Sequence, residues 1–237
     1  MSRRFKNPVF CAIDTPELAR ARELAATVAG HVGGIKLGKE FFAAHGPAGV
    51  REVVAEHDLP LFLDLKFHDI PNTVAGALRA ACRLRPAIVN VHATGGPSML
   101  TAARDAVAEA GGDERPKLIA VTVLTSMDED DLSQVGLAGP VGERVVALAR
   151  LAQDCGLDGV VCSPREITAI RAACGPEFLL VVPGVRPAGA DAGDQKRVMT
   201  PADAVGAGAD ILVIGRPITG ADDPGVAAGA IVAGLAE

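Results

Sequence analysis

The chain has 237 residues, 49% of them apolar, and a net charge of −6. That length supports one substantial core, and the acidic balance argues against a general nucleic-acid binder, which needs a broad basic face. With no Trp, no Tyr and seven Phe, a base-stacking platform would rest on Phe alone, and no apolar run approaches the ~20 residues that cross a bilayer.

Taken in chain order, short β-branched apolar runs alternate with stretches of helical spacing. Arg3, Arg4 and Lys6 precede the first run, 8–13, which is short and stops at Asp14, so no signal peptide is expected. A helix is expected over 17–29, with Thr15 as N-cap, Pro16 at the first helical position and Gly30 just past the end. The remaining runs are 34–37, 61–65, 87–91, 118–123, 159–162, 178–182 and 211–214. The helices that follow them are expected over 47–57, 72–84, 98–110, 142–155, 164–173, 201–207 and 224–235. Several begin at Pro and end near Gly, the usual asymmetry of helix termini. The helix at 201–207 carries the weakest signal, because residues 184–196 first form a loop rich in Gly, Pro and Asp.

Continuous apolar runs suit parallel strands covered on both faces. Eight β-then-α units in this length predict a single (β/α)8 barrel domain over residues 1–237. An open doubly wound sheet has the same periodicity and stands as the alternative. The five cysteines are odd in number and none has C-x-x-C spacing, as expected of reduced thiols in a cytoplasmic protein. The five histidines lack H-x-H and H-x-x-x-H spacing, so no zinc site is expected.

Active sites of such barrels lie at the C-terminal ends of the strands. The first run ends at Asp14 and the second reaches Lys36. The third holds Asp64 and Lys66, which lie two apart and so share a strand face, with Leu63 and Leu65 on the other. A Lys36–Asp64–Lys66 cluster in the mouth is either a structural ion-pair network or a functional site. Burying several charges rarely improves on apolar packing, which favours function. Gly215-Arg216, after the eighth run, has phosphate-binding logic: backbone N–H groups exposed by glycine, plus a guanidinium fork. The alternative is a surface turn with a solvated Arg. Arg186 and Gln195 lie on the loop after the seventh run and can serve as a lid or simply as solvated side chains. Thr125 can bond a substrate ring or cap a turn. His92 fits a packing role as well as a chemical one, and His68 has none assigned.

The segment Phe62-Leu63-Asp64-Leu65-Lys66-Phe67-His68-Asp69-Ile70-Pro71-Asn72-Thr73 resembles the signature of the orotidine 5'-phosphate decarboxylase family, in its bacterial branch. Further segments agree in order and spacing: Ala12-Ile13-Asp14, Ile35-Lys36-Leu37-Gly38, Val182-Pro183-Gly184-Val185-Arg186-Pro187, Ala192-Gly193-Asp194-Gln195 and Val213-Ile214-Gly215-Arg216-Pro217. Val121-Thr122-Val123-Leu124-Thr125-Ser126-Met127 also fits. The resemblance covers essentially the whole chain, although D-x-K-x-x-D alone is shared with related sugar-phosphate enzymes.

It implies cofactor-free decarboxylation of orotidine 5'-monophosphate to uridine 5'-monophosphate and CO2 in de novo pyrimidine biosynthesis. Lys66 would donate the proton to C6, with Lys36, Asp64 and Asp69 completing an alternating charge network. Asp14 and Lys36 would contact the ribose, Thr125 the pyrimidine, and Arg186, Gln195, Gly215 and Arg216 the phosphate. The chain would form a homodimer in which Asp69 and Thr73 serve the partner's site. The rival readings are a Mg-dependent sugar-phosphate decarboxylase or aldolase of the same barrel group, and a noncatalytic nucleotide-binding barrel.

Overall fold

A computed structural model describes residues 5, 7–137, 139–187 and 199–235. The elements run β1 (Val9–Ile13), α1 (Leu18–Val28), β2 (Gly34–Gly38), α2 (Lys39–Val54), β3 (Leu61–Phe67), α3 (Pro71–Cys82), β4 (Ile88–His92), α4 (Gly96–Gly111), β5 (Lys117–Val121), α5 (Glu129–Gln134), α6 (Val141–Asp154), β6 (Gly159–Val161), α7 (Ile167–Cys174), β7 (Leu179–Pro183), α8 (Pro201–Ala207), β8 (Ile211–Ile214), α9 (Arg216–Thr219) and α10 (Pro224–Ala233). The strands pair in sequence order, all parallel, and β8 closes on β1. The chain is therefore a (β/α)8 barrel, not an open sheet.

Each strand alternates between two apolar layers, as the pleat requires. Val9, Cys11 and Ile13 of β1 pack outward against the helices, as do Ile35, Leu37, Leu61, Leu63, Val89, Val91, Leu180, Val182, Leu212 and Ile214. The intervening residues fill the barrel interior: Phe10, Ala12, Phe62, Ile88, Ile119, Leu179, Val181, Ile211 and Val213. Burying each large apolar side chain contributes roughly 1.5–3 kcal/mol. Gly34 is needed beside Phe10, because a Cβ there would lie 2.4 Å from the Phe10 ring and 2.5 Å from the Pro60 carbonyl oxygen.

The lower rim, where strands begin, is pinned by carboxylates. Asp158, just before β6, accepts bonds from Arg115 Nη1 (2.6 Å) and Nη2 (3.0 Å), Lys117 Nζ (3.2 Å) and the Leu118 N–H (2.9 Å). Asp210, just before β8, accepts from Arg171 Nη2 (2.7 Å) and the Leu180 N–H (2.8 Å). In each case the Asp ties the start of one strand to the backbone of its neighbour.

Several helix boundaries differ from the sequence reading. Thr15 is not the N-cap of α1: that position is Glu17, and Thr15 Oγ1 accepts the Glu17 N–H at 3.2 Å in a turn ahead of the helix. The helix expected over 47–57 is the second part of α2, which starts at Lys39 and breaks at Gly46 (φ 57°) before Pro47. Two helices were not anticipated. α5 is a six-residue acidic turn held by a capping box between Asp128 and Asp131. α9 is four residues long and starts directly after β8. Both are too short to show a period. Among the described residues no helix is long and apolar enough to cross a membrane.

Candidate active site

Continuing the inward positions of the strands past the apolar plug brings polar groups to the upper rim. Lys36 of β2 and Asp64 of β3 are both buried, each 8% exposed. Lys36 Nζ lies 3.0 Å from Asp14 Oδ1 and 3.4 Å from Asp64 Oδ2. Lys66 Nζ donates to Asp64 Oδ1 at 2.6 Å. The result is a chain of alternating charge, Asp14–Lys36–Asp64–Lys66, across the ends of three strands.

Lys66 reaches Asp64 by a different route from a regular pleat. The β3–β4 register passes from Leu63 opposite Val89 to Phe67 opposite Val91, so Asp64, Leu65 and Lys66 all stand against Asn90. Within this break Lys66 adopts φ 53°, a left-handed conformation that is sparsely populated for residues with a Cβ. Asn90, fully buried, donates from Nδ2 to Asp64 Oδ1 at 2.7 Å and accepts the Lys66 N–H at 2.8 Å.

The electrostatics follow from burial and pairing. Burial alone would raise the Asp64 pKa, but Lys36 and Lys66, with hydrogen bonds from Lys66 and Asn90, outweigh it and hold the carboxyl below its ordinary range. Burial likewise opposes charge on Lys36, yet Asp64 and Asp14 raise its pKa above the usual lysine value. Both groups therefore stay ionised at neutral pH. Gly38 makes room for the pair: a Cβ there would lie 3.2 Å from Lys36 Nζ and 3.3 Å from Asp14 Oδ1.

Next to the cluster, the His92 and His68 rings lie 5.5 Å apart between centroids, tilted by 38°. Burial, then His68, Lys39 and Lys66, push the His92 pKa down to about 4, with Asp64 opposing. It is a neutral imidazole at physiological pH.

On the far side of the mouth, Arg186 is buried and its N–H donates to the Met199 carbonyl at 3.0 Å. Burial, then the neighbouring Arg216 guanidinium, lower its pKa from the ordinary value. Two cations brought together in this way favour an anion between them. Gly215 sits over Ala12 of β1, where a Cβ would meet the Ala12 Cβ at 3.5 Å. Ala12 is in turn paired with Lys36. Gly215, the residue before Arg216, thus lies beside the strand that carries Asp14 at its end and pairs with Lys36.

Other expected residues stand apart. Thr125 is half-buried in the turn after β5, where the Met127 N–H bonds the Leu124 carbonyl. Asp69 is exposed and accepts the Ile70 N–H at 2.6 Å. Thr73, on the first turn of α3, is also exposed. Among the described residues no hydrogen bond or ion pair joins Asp69 or Thr73 to the cluster. Gln195 lies outside the described residues. Asn90 was missed: it interrupts an apolar run, but it occupies an inward position of β4 one pleat before His92, and that was the available signal.

The family model for orotidine 5'-phosphate decarboxylase / HUMPS matches residues 7–231. The chain belongs to the orotidine 5'-phosphate decarboxylase family. Orotidine 5'-phosphate decarboxylase of Rhodospirillum rubrum is 60% identical over 231 residues, covering 96% of this chain and 94% of that one. The protein of the same name from Paramagnetospirillum magneticum is 56% identical over 232 residues, covering 97% and 98%. The crystal structure of orotidine 5'-phosphate decarboxylase from Lactobacillus acidophilus superposes with a TM-score of 0.86 at 35% identity, covering 98% of this chain and all of that one. In this decarboxylase family member, the motif segments quoted from the sequence all fall within the matched span, and Asp14, Lys36, Asp64 and Lys66 from three of them meet at the barrel mouth.

Proposed function

We propose that the protein decarboxylates orotidine 5'-monophosphate to uridine 5'-monophosphate and CO2, without a cofactor. The observation that carries this reading is the Lys36–Asp64–Lys66 chain at the barrel mouth, inside a family whose named relatives are decarboxylases of this compound.

Each residue has a physical task in that reaction. When the C6–carboxylate bond breaks, CO2 leaves and its bonding electron pair stays on C6, with no conjugated sink. The Lys66 ammonium lies beside that carbon, stabilises the developing charge and then transfers its proton to C6, yielding the product pyrimidine. Such preorganised electrostatics is commonly the largest catalytic term, with proton delivery in addition. Asp64, itself held by Lys36, fixes the Lys66 ammonium. Asp14 and Lys36 bind the ribose, and Thr125 bonds the ring. Arg186, Gln195, Gly215 and Arg216 take the phosphate, whose binding energy holds the ring in register with Lys66. Asp69 and Thr73 complete the neighbouring subunit's site in a homodimer. The exposure of both side chains on this subunit supports that arrangement.

The test is a spectrophotometric assay with purified protein. Orotidine 5'-monophosphate should be consumed at the same rate with and without excess EDTA. Absence of turnover would overturn the reading. Turnover abolished by EDTA and restored by Mg2+ would instead indicate the metal-dependent sugar-phosphate chemistry of related barrels.

A further inference from the structure

We infer that Asn90 is a positioning residue for Lys66: one side-chain amide, set opposite the break in β3, fixes both the carboxylate that holds the ammonium and the backbone that carries it. This deepens the proposed function and rests on it.

In a regular parallel ladder, backbone bonds to β4 would satisfy the segment 64–66. Here three residues of β3 face Asn90 alone. The Lys66 N–H, turned by φ 53°, finds a side-chain oxygen instead of a carbonyl: Asn90 Oδ1 at 2.8 Å. The other end of the same amide reaches Asp64 Oδ1 at 2.7 Å, the oxygen that the Lys66 ammonium also grips at 2.6 Å. The two contacts agree on one orientation. A backbone N–H can only donate, so it requires Oδ1, and an ionised carboxylate can only accept, so it requires Nδ2.

The residue type follows from that pairing. Aspartate would set a second carboxylate against Asp64, and alanine would leave the Lys66 N–H without its partner and take from Asp64 Oδ1 one of its two donors, the other being the Lys66 ammonium. Asn90 is fully buried, so bulk solvent does not share these bonds in the parent. Asn90 touches no reacting atom in the proposed chemistry. It acts through Asp64 and Lys66, so its loss misaims the ammonium while leaving the phosphate end, at Arg186 and Arg216, intact.

Two variants test this. In Asn90→Ala, kcat should fall by about thirtyfold or more while KM stays within about threefold, the pattern of an interaction felt at the reacting centre. In Asn90→Asp, the new carboxyl faces Asp64 and Lys66 on β3, with Lys36 of β2 behind Asp64. Ile119 pairs with it on β5, and His92, with His68 and Lys39 beyond, lies one pleat above. Like charge beside Asp64 favours its protonation, and once protonated it donates as the amide did. Its kcat, relative to the parent, should therefore rise as pH is lowered from about 8 to 5.5. A mere packing defect would introduce no such ionisation.

A third measurement does not depend on turnover: hydrogen exchange of the Lys66 amide, followed by NMR, should speed up about tenfold or more in Asn90→Ala. Parental kcat in the Ala variant, or a parental pH profile in Asn90→Asp, would overturn the proposal. So would unchanged exchange at Lys66. If Asn90→Ala does not fold, the near-isosteric Asn90→Asp decides alone. If the parent itself does not turn over orotidine 5'-monophosphate, the functional reading fails, and the exchange experiment still decides whether Asn90 clamps Lys66.

Discussion

Lys66 is held in two conditions that cost free energy, a left-handed backbone and a partly desolvated charge. A strained φ of this kind costs on the order of 1–3 kcal/mol and persists where the surroundings enforce it. Lys66→Ala should reduce turnover by about 10²-fold or more, the range of general acid catalysis, while binding of uridine 5'-monophosphate stays within a few-fold of the parent. Steady-state kinetics with calorimetric binding checks both, and a rate within about tenfold of the parent would contradict the proton-donor role. His92 yields a pH prediction. Its folded-state pKa of about 4 lies below the ordinary 6.5, so as pH falls through that window the unfolded chain binds a proton that the native state refuses. Stability should decline between those values by on the order of 1–2 kcal/mol after solvent screening. In His92→Gln the loss between pH 7 and 4.5, measured by urea unfolding, should be smaller by that amount. The depressed carboxyl of Asp64 contributes above its unfolded value and is lost only below about pH 4, outside the range compared. The sequence made Lys36, Asp64 and Lys66 legible because each is a charge at the end of an apolar run. The break in β3 was not legible, because nothing in Asp64-Leu65-Lys66 announces that period two fails there. The reach of Lys66 to Asp64 was thus expected for a simpler reason than the true one.

At the scale of elements, the strands were readable because both their faces are apolar, one toward the helices and one toward the plug. The long helices were readable from Pro at their starts. The acidic α5 and the four-residue α9 were not, since each is defined by local capping or by the preceding strand instead of an amphipathic stripe. The two strand ends carry different kinds of ion pair. Those at the upper rim join into one chain from Asp14 to Lys66, whereas Asp158 and Asp210 each tie adjacent strands. Removing one partner of a buried pair costs roughly 3–5 kcal/mol, and the Asp158 side chain is 9% exposed. Asp158→Ala should therefore lose about 3 kcal/mol of stability in chemical denaturation. Its kcat and KM at a permissive temperature should match the parent, and a large drop in kcat would show that the lower rim is not purely structural.

For the whole molecule, the net charge of −6 means that, in the proposed reaction, attraction of the anionic substrate would depend on the local set Lys36, Lys66, Arg186 and Arg216. The dimer expectation concerns residues that no geometry within one chain explains. Asp69 is exposed, and its neighbour Ile70 is 67% exposed, an apolar side chain beside an acid that forms no ion pair among the described residues. If Asp69 serves the partner, then Lys66→Ala and Asp69→Ala proteins, each inactive alone, should regain up to about a quarter of parental activity when mixed and allowed to exchange subunits. That figure is the share of intact sites expected in a random mixture of two-site dimers, one site in two over half the dimers. Demonstrated exchange with no recovery would rule out a shared site. The apolar plug of Phe10, Phe62, Ile88 and Ile119 has its own consequence. It gives the charged mouth a floor, so the barrel is a cup and not a conduit. In the proposed reaction, CO2 and nucleotide formed above that floor would both leave past the rim through which the substrate entered.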